Sequence, residues 1–418
     1  MMYLHTAMRR FYLSSTKRQI NLPVSGRSIN SAVAGRSINR PAASRSINMS
    51  EAMRIFACSL AAVMMAFCSS QPLLARQFEL ALPGFKFDFP RDHASHNAYK
   101  TEWWYYTGHL NSDDGREFGY ELTFFRSALD VSGGVKDSAW SVDNVYLAHF
   151  AVSDMPDKKF FHTAKLNRSG VDFAGASTTN YHVWNQNWTA DLLGDVQKIA
   201  ASSEGYSLAL KLEPLKPPVI HGENGVSQKA SCRGCASHYY SFTRLKTDGE
   251  ITIGGKPIHV HGTSWMDHEF GSNQIASDQA GWDWYSVQLD DNSELMLYTM
   301  RKKDGTIDPN SSGTVVSADG GSSHLTARNY AVKSTDTWRS PTSGGTYPMG
   351  WTIEIPTLQM TLKIEPLMLN QELDKQRSSD VSYWEGACKV TGTKAGRSIS
   401  GKAYVEMTGY AGAFNAGI

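Results

Sequence analysis

The amino-acid sequence predicts an all-β protein in which two tandem β-barrels follow a non-globular N-terminus. Three observations lead to this fold class. From residue 78 onward almost no helical period is sustained, and short runs rich in Val, Ile, Thr, Tyr, Phe and Trp take its place. Clusters of Gly, Asp, Asn and Ser separate these runs at regular intervals, as in barrels and sandwiches. Residues 101–126 and 281–305 also share one rhythm, a Trp-rich run, an acidic turn and a second run, which indicates an internal duplication.

Residues 1–52 lack the strand pattern, and we expect them to be disordered. They contain one acid, Glu51, against eight basic residues, and little apolar surface from which a core could form. The segment also repeats a pentapeptide of the type GRSIN or SRSIN, at 26–30, 35–39 and 44–48. We expect the natural start at Met49 or Met53, with the preceding residues being translated upstream sequence.

Residues 53–75, MRIFACSLAAVMMAFCSSQPLLA, are typical of a secretory signal peptide. Arg54 is the positive region, residues 55–67 are the apolar region, and a stretch of small and polar residues follows. The apolar region is too short to be a membrane span. Cleavage after Ala75 predicts a secreted or periplasmic mature protein that begins at Arg76 and has no stable membrane span. An Arg- and Ser-rich organelle transit peptide is the alternative.

The charge distribution argues against nucleic acid as a partner. The first 75 residues hold nine Lys or Arg and one acid, which leaves 32 basic and 39 acidic residues in the rest of the chain. The body is therefore mildly acidic and shows no basic patch. The whole chain has 41% hydrophobic and 19% charged residues, which is ordinary for a soluble globular protein. The sequence leaves the oligomeric state open.

We expect the first barrel over residues 76–272 and the second over residues 273–418. Hairpin turns such as NSDDG (111–115) and DDNS (290–293) join neighbouring runs. A helix is the expectation for residues 185–200. The predicted strands lie at 101–110, 118–127, 144–154, 206–214, 238–249, 249–270, 283–291, 294–305, 349–367, 381–392 and 401–410.

The cysteine pattern favours a disulfide over a metal site. Cys232 and Cys235 form a lone CxxC, which supplies only two of the four ligands that structural zinc requires. In an exported protein we expect a loop disulfide, with two unpaired thiols as the alternative. Cys388 stands apart, and the sequence predicts no metal and no cofactor.

The run TSWMDHEFGS places three ionisable side chains next to each other among aromatic and β-branched residues. In a strand, Trp265, Asp267 and Glu269 face one way and His268 faces the other. The even-numbered face is apolar and suits a core. The odd-numbered face is polar but includes a Trp, which suits a pocket or an interdomain seam. A bulge at Gly262 would exchange the two faces.

Several motifs together resemble the AttH-like/carotenoid 1,2-hydratase (CrtC) family, also called hydroxyneurosporene synthase or predicted secreted hydrolase. The motifs are YKTEWWYYTGHL, REFGYELTFFRSAL, ASHYYSFTRL, GTSWMDHEFGS, GWDWYSVQLDD, ELMLYTMRKKDG and SYWEGACKVTG. The resemblance covers about residues 80–412 and implies tandem lipocalin-like (calycin) barrels. It does not imply one reaction, because the group includes carotenoid hydratases, a flavonoid-type hydratase and barrel proteins that assist cycloadditions. The chain resembles the secreted branch more than the pigment enzymes.

Two interpretations of the acidic run stay open. In the first, Asp267 or Glu269, with His268 beside them, lies in an aromatic pocket where burial keeps a carboxylic acid protonated. Such an acid can protonate an alkene, nearby rings stabilise the carbocation, and water captures it, as in a hydratase. In the second, these groups bond to Arg126, Arg244 or backbone amides and lock the two barrels together.

Aromatic residues and acids in the other motifs are candidate ligand contacts. A lipocalin-like barrel leaves room for one small ligand, and the run WWYY at 103–106 supplies rings to both sheet faces. Core packing is the alternative for these rings. Glu385 is a further acid in an aromatic setting. The candidate ligand-binding residues are Glu102, Trp104, Tyr106, Tyr240, Trp265, Trp282, Trp284 and Trp384.

Other chemistries have weaker support in the sequence. His259 and His261 form an HxH pair that Glu269 could complete as a metal site, but two exposed or satisfied histidines are the commoner outcome. No GxSxG elbow, P-loop or dinucleotide fingerprint occurs. Two function classes remain: a lyase- or isomerase-type enzyme acting on an unsaturated, lipophilic small molecule, and a non-catalytic carrier of such a compound.

Overall fold

The computed structural model of the protein describes residues 77–129, 142–375 and 382–412. The expected disordered segment and signal peptide lie outside these ranges. Within them the chain forms 23 β-strands and two 3₁₀ helices, Arg91–His93 and Pro356–Leu358, which confirms the predicted all-β class. Neither of these helices is long or apolar enough to cross a membrane.

The first thirteen strands form one antiparallel sheet that curves into a nearly closed barrel. Its spatial order is β4-β3-β2-β1-β13-β12-β9-β8-β7-β6-β5, and β10 and β11 pair with β12. The strands are β1 (Thr101–Ser112), β2 (Glu117–Ala128), β3 (Asn144–Asp154), β4 (Lys159–Arg168), β5 (Ala174–Ala176), β6 (His182–Asn185), β7 (Trp188–Leu193), β8 (Val196–Ser203), β9 (Tyr206–Pro214), β10 (Val219–Ile220), β11 (Ser227–Gln228), β12 (Ala236–Ile253) and β13 (Lys256–Gly271).

Side chains close this barrel where its edge strands meet. Asn167 on β4 donates a hydrogen bond from Nδ2 to Oδ1 of Asn185 on β6 at 2.6 Å. Asn185 in turn donates to the backbone carbonyl of Tyr146 on β3 at 3.1 Å. The interior is filled by alternate residues of the strands, as the two-residue period of a sheet requires. Examples from β1, β2, β3 and β13 are Trp104, Tyr106, Leu122, Phe124, Phe150 and Met266.

The last ten strands form a second antiparallel sheet, which curves into half a barrel. Its spatial order is β17-β16-β15-β14-β23-β22-β20-β19-β18, and β21 pairs with β22. The strands are β14 (Gln279–Leu289), β15 (Glu294–Lys302), β16 (Ser312–Val316), β17 (Ser322–Thr326), β18 (Ala331–Arg339), β19 (Thr346–Ile355), β20 (Met360–Pro366), β21 (Glu372–Leu373), β22 (Tyr383–Lys394) and β23 (Arg397–Thr408).

The helix expected at residues 185–200 is wrong, because β7 and β8 occupy this region. The buried residues Trp188 and Ala190 alternate with more exposed neighbours, which is a strand period. A turn at Gly194, with φ of +63°, then reverses the chain. The Asp and Gly of the LLGD sequence are turn residues, and they outweigh the helical propensity of the surrounding Leu and Ala.

The outer face of the barrel packs against the second sheet along a seam. Apolar contact in the seam comes from both sheets, with Tyr105, Tyr239 and Trp265 on one side and Trp284, Tyr298 and Tyr404 on the other. A buried ion cluster lies at one end of the seam. Glu294 of β15 accepts hydrogen bonds from Lys216 Nζ at 2.7 Å and from Arg244 Nε at 2.6 Å. Arg244 therefore joins the two sheets, as one interpretation of the sequence expected, but its partner is Glu294.

Candidate active site between the two sheets

A cavity of about 150 Å³ opens in the middle of the seam. A cavity of that volume is large enough to hold a benzene ring. Its barrel side consists of outward-facing residues from β1, β2, β3, β12 and β13, and its other side of residues from β14, β15, β22 and β23. Aromatic residues dominate the lining, namely Trp103, Tyr105, Phe125, Tyr239, Trp282, Trp284, Tyr298 and Tyr383.

The alternation predicted for the TSWMDHEFGS run is confirmed. Asp267 and Glu269 line the cavity, and Trp265 lies in the seam. Met266 belongs to the barrel core, and His268 is fully buried. No register shift occurs at Gly262, since the irregularity of this strand pair lies in β12 between Phe242 and Leu245.

Asp267 is a buried carboxyl group held by three donors. Its Oδ2 accepts a hydrogen bond from the Tyr239 hydroxyl at 2.6 Å, and its Oδ1 accepts one from Trp265 Nε1 at 2.6 Å and another from the Ser241 hydroxyl. Burial raises the pKa of Asp267 to about 7, although the three hydrogen bonds act in the opposite direction. The group is therefore close to half-ionised at neutral pH, and its donors favour the carboxylate form.

Glu121 on β2 is the second cavity acid, and its two oxygens have unequal surroundings. Oε1 accepts hydrogen bonds from the Tyr383 hydroxyl at 2.7 Å and from the Thr123 hydroxyl at 2.8 Å. Oε2 is buried and has no hydrogen-bond partner. Burial raises the pKa of Glu121 to about 7. A neutral acid with its carbonyl at Oε1 and its proton on Oε2 satisfies both donors and leaves the O–H group without a protein acceptor.

His149 of β3 supports the Tyr383 hydroxyl. The His149 Nδ1 atom lies 2.7 Å from this hydroxyl, which donates its own proton to Glu121. Nδ1 must therefore be the donor in the His149–Tyr383 bond. Burial lowers the pKa of His149 to about 3, so the imidazole is neutral at physiological pH. The three side chains form a chain of hydrogen bonds that ends at Glu121.

Two more acids of the second sheet lie in or beside the cavity. Glu406 lines it, and burial raises its pKa to about 8, while Trp282 Nε1 donates a hydrogen bond to it at 2.8 Å. Glu385 lies behind Tyr105, whose hydroxyl donates to it at 2.7 Å. Burial, and after it the Glu121 and Glu406 carboxyls, raise the pKa of Glu385 well above its usual range. Mutual repulsion thus favours a cluster that keeps some of its protons at neutral pH.

A lysine neutralises the remaining cavity acid. The Lys229 ammonium group lies 3.3 Å from a carboxylate oxygen of Glu269. It also lies over the rings of Tyr298 and Tyr239, at 3.9 and 5.1 Å from their centroids. Lys229 comes from the loop after β11, in which a disulfide links Cys232 to Cys235. The expected loop disulfide is thereby confirmed.

Two predicted site residues, Glu102 and His268, lie inside the barrel and away from the cavity. Glu102 Oε1 accepts a hydrogen bond from His268 Nε2 at 2.8 Å, and Oε2 accepts one from Arg126 Nε at 3.2 Å. His96 is a second imidazole beside this carboxylate. The potential metal-ligating atoms of His96, Glu102 and His268 all lie within 4.8 Å of one another. Ser95 also donates to it at 2.7 Å. Because hydrogen bonds occupy both carboxylate oxygens, the cluster satisfies itself without an ion.

The remaining predicted ligand contacts divide between the cavity and the two cores. Trp282 and Trp284 line the cavity as expected. Trp104, Tyr106 and Tyr240 point into the barrel core, and Trp384 lies in the core of the second sheet, so none of these four lines the cavity.

The HxH pair is on the surface and does not meet Glu269. His259 and His261 are about half exposed, with side-chain exposures of 54% and 55%. Both lie beside Asp113, and His259 also lies beside Asp248, whereas Glu269 pairs with Lys229. These contacts favour two solvated histidines over the metal site considered from the sequence.

Sequence reasoning missed Glu121, His149, Tyr239, Tyr383 and Glu406, and it named Glu385 only as an alternative acid. A signal was available for the residues on the barrel side. Tyr105 pairs with Asp267 on one neighbouring strand and with Thr123 on the other, so the odd-numbered residues of β1, β2 and β13 share a face. Glu121 could have been found by extending the alternation of TSWMDHEFGS across this register. The residues of the second sheet line the cavity only because the two sheets pack against each other, and no local sequence pattern indicates that contact.

Comparison with known proteins is consistent with this architecture. The AttH-like family profile matches residues 80–410. The crystal structure of a protein from Nitrosomonas europaea assigned as an AttH is 34% identical, with a TM-score of 0.72, and the match covers 80% of this chain and 99% of that one. Kievitone hydratase from Nectria haematococca shares the fold at 13% identity, with a TM-score of 0.61 and coverage of 80% and 99%.

One curated relative is similar in sequence over a shorter span. Dehydratase asqC from Emericella nidulans is 20% identical over 245 residues, which are 57% of this chain and 65% of that protein. The family profile, by contrast, spans nearly all the described residues, and both sheets lie within it. The chain belongs to the AttH-like family.

Proposed function

We propose that the protein is a hydro-lyase that adds water to, or removes it from, an unsaturated lipophilic small molecule bound between the two sheets. The observation that carries the proposal is the buried Glu121 carboxyl group, whose Oε2 lacks a protein partner although the residue lines a largely aromatic cavity. A protonated carboxyl group in such a place is a proton donor matched to neutral pH.

In the hydration direction, Glu121 transfers its proton from Oε2 to one carbon of a ligand double bond. The π electrons form the new C–H bond, and the other carbon becomes electron-deficient. A water molecule adds to that carbon, and the proton it loses passes to a carboxylate. Dehydration is the same sequence reversed: the second carboxyl group, now protonated, gives its proton to the hydroxyl, water leaves, and the ionised Glu121 takes a proton from the neighbouring carbon.

Asp267 is the residue that suits the role of proton acceptor. Three hydrogen-bond donors stabilise its carboxylate form, while burial keeps its pKa at about 7, near the pH at which a base is most effective. The faces of Trp103, Trp282 and Trp284 offer negative electrostatic potential to the positive charge that develops on the ligand. A nucleophilic hydrolase is not proposed, since no activated Ser or Cys lines the cavity among the described residues.

Two relatives support the reaction class. One is named a dehydratase and one a hydratase, which are the two directions of one chemistry. We further propose that the protein is exported, on the basis of the signal-like segment at 53–75 and of the Cys232–Cys235 disulfide. A carrier without chemistry has less support, because burying carboxyl groups costs free energy that an apolar lining would not.

Isotope incorporation tests the proposal even while the substrate is unidentified. The purified protein is incubated in H₂¹⁸O with a panel of prenylated phenols, polyenes and β-hydroxy ketones, and products are analysed by mass spectrometry. We expect one class to gain a molecule of water that carries ¹⁸O, or to lose water. Compounds that bind but neither gain nor lose water would establish the carrier instead.

A further inference from the structure

The cavity already holds one cation against aromatic rings. The Lys229 ammonium group lies 3.9 Å from the centroid of Tyr298 and 5.1 Å from that of Tyr239. Both distances are within the roughly 6 Å at which a cation is attracted to the face of a ring. The lining is therefore suited to positive charge, and Lys229 forms its ion pair with Glu269.

Besides Glu269, three acids of the lining form no ion pair with a Lys or Arg of the described residues. Lys229 is the one Lys or Arg among the described residues of the lining, and it pairs with Glu269. Glu121, Asp267 and Glu406 remain, surrounded by the rings of Trp103, Trp282 and Trp284. Glu121 lines this space, and its buried Oε2 has no hydrogen-bond partner. Rings and carboxyl groups around one cavity form the kind of cage that binds quaternary ammonium groups.

We infer that the cavity binds organic cations, namely ammonium groups attached to a compact apolar or aromatic body, in preference to uncharged molecules of the same shape. The inference shares with the proposed function only the assumption that the cavity accepts ligands. It adds a ligand class, namely molecules with a permanent positive charge. That charge would occupy the place where the proposed reaction develops a transient positive charge on the substrate.

Binding of a cation must be linked to the loss of protons from the cavity acids. A cation gains most from Glu121, Asp267 and Glu406 when they are ionised, and burial keeps them partly protonated near pH 7. The cation's apparent affinity therefore scales with the ionised fraction. An acid with a pKa of about 7 is roughly 10% ionised at pH 6 and almost fully ionised at pH 8.5, which is about a tenfold difference.

Four further groups around the cavity, three phenols and one imidazole, do not titrate in this range. Burial raises the pKa values of the Tyr105, Tyr239 and Tyr383 phenols well above the ordinary value. His149 stays neutral, with a pKa of about 3, and the pKa of Lys229 is raised by Glu269 although burial opposes the rise. Burial and two neighbouring carboxyls also raise the pKa of Glu385, behind Tyr105, well above its usual range.

A matched pair of probes tests the inference on the whole protein. Phenyltrimethylammonium and tert-butylbenzene have the same shape and differ in charge. Quenching of tryptophan fluorescence, to which Trp103, Trp282 and Trp284 contribute from the cavity wall, reports their dissociation constants at pH 6 and pH 8.5. We expect the cation to bind at least about tenfold more tightly than the hydrocarbon at pH 8.5, and about tenfold more weakly at pH 6 than at pH 8.5.

Variants locate the effect. Glu121→Gln should reduce the preference for the cation severalfold, whereas Glu250→Gln, on the exposed part of β12, should leave it unchanged. If Glu121→Gln fails to fold, the comparison of the two probes on the wild-type protein still decides. Equal or tighter binding of the hydrocarbon at pH 8.5 overturns the charge preference and leaves the proposed hydro-lyase intact. Binding of neither probe also overturns the inference, and ¹⁸O incorporation then tests the proposed hydro-lyase separately.

Discussion

Tyr383 of the second sheet donates a hydrogen bond to Glu121 of the barrel at 2.7 Å, although 262 positions separate the two residues in the chain. The bond crosses the seam, so the acid acquires its final environment only when the sheets dock. His149 supports the same hydroxyl from the barrel side. The seam therefore brings the proposed proton donor together with the hydrogen-bond partners that set its environment.

Glu406 should make stability depend on pH in a predictable direction. Its pKa is about 8 in the folded protein and near 4.5 in the unfolded chain, so between these values the folded state binds more protons. Its contribution to the free energy of unfolding must then fall as pH rises from about 5 to 8. We expect Glu406→Gln, which keeps an acceptor for Trp282, to remove a slope of up to about 1.4 kcal/mol per pH unit.

Urea unfolding of Glu406→Gln and wild type between pH 5.5 and 7.5 measures this slope as a difference. The difference matters because buried histidines with lowered pKa, such as His149, contribute a slope of opposite sign to both proteins. Glu250→Gln serves as the control for loss of an exposed acid. Parallel stability curves for Glu406→Gln and wild type would show that Glu406 is ionised at neutral pH.

Asp267→Asn should separate a base from a structural anchor. No Lys or Arg pairs with Asp267 among the described residues, so the substitution leaves no charge uncompensated. We expect the melting temperature and the binding of uncharged tert-butylbenzene to be nearly unchanged, and turnover to fall about 10²- to 10⁴-fold. Asp248→Asn, on the exposed part of β12, should keep full turnover. A large loss of stability in Asp267→Asn, with binding lost in step, would make Asp267 a structural residue.

Glu294→Gln tests the ion cluster at the end of the seam. Glu294 is 1% exposed, and its loss leaves Lys216 and Arg244 without their counter-charge. We expect a cost of about 3–5 kcal/mol in the free energy of unfolding. Glu213→Gln removes an exposed partner of Lys246 and should cost less than about 1 kcal/mol. Equal effects of the two substitutions in urea unfolding would contradict this account.

Local patterns predicted the fold class and the faces of the TSWMDHEFGS strand, because the alternation of side chains between two faces depends only on the residues of that strand. The same period was not carried to neighbouring strands. Trp104 and Tyr106 were therefore assigned to a ligand site, although they share the interior face with Met266. The sequence interpretation also placed Tyr240 in the ligand site, whereas its neighbour Tyr239 faces the cavity. It placed Trp384 there as well, whereas its neighbour Glu385 faces the seam.

The rest of the site depends on long-range geometry that no local pattern contains. A lipocalin-like barrel is expected to bind its ligand inside, but here large side chains such as Trp188 and Phe150 fill the interior. The cavity forms outside the barrel, where the second sheet covers it. The partnership of Glu121 with Tyr383 depends on the docking angle of two sheets, which is set by packing over the whole seam.

The most direct test of the central claim is the turnover of Glu121→Gln. Glutamine keeps the acceptor for Tyr383 and Thr123 but cannot donate a proton to carbon. With the substrate class identified by ¹⁸O incorporation, we expect unchanged melting temperature and substrate affinity, and a rate lowered about 10²- to 10⁴-fold. A Glu121→Gln protein that folds, binds and exchanges water at the wild-type rate would contradict the assignment of Glu121 as the proton donor.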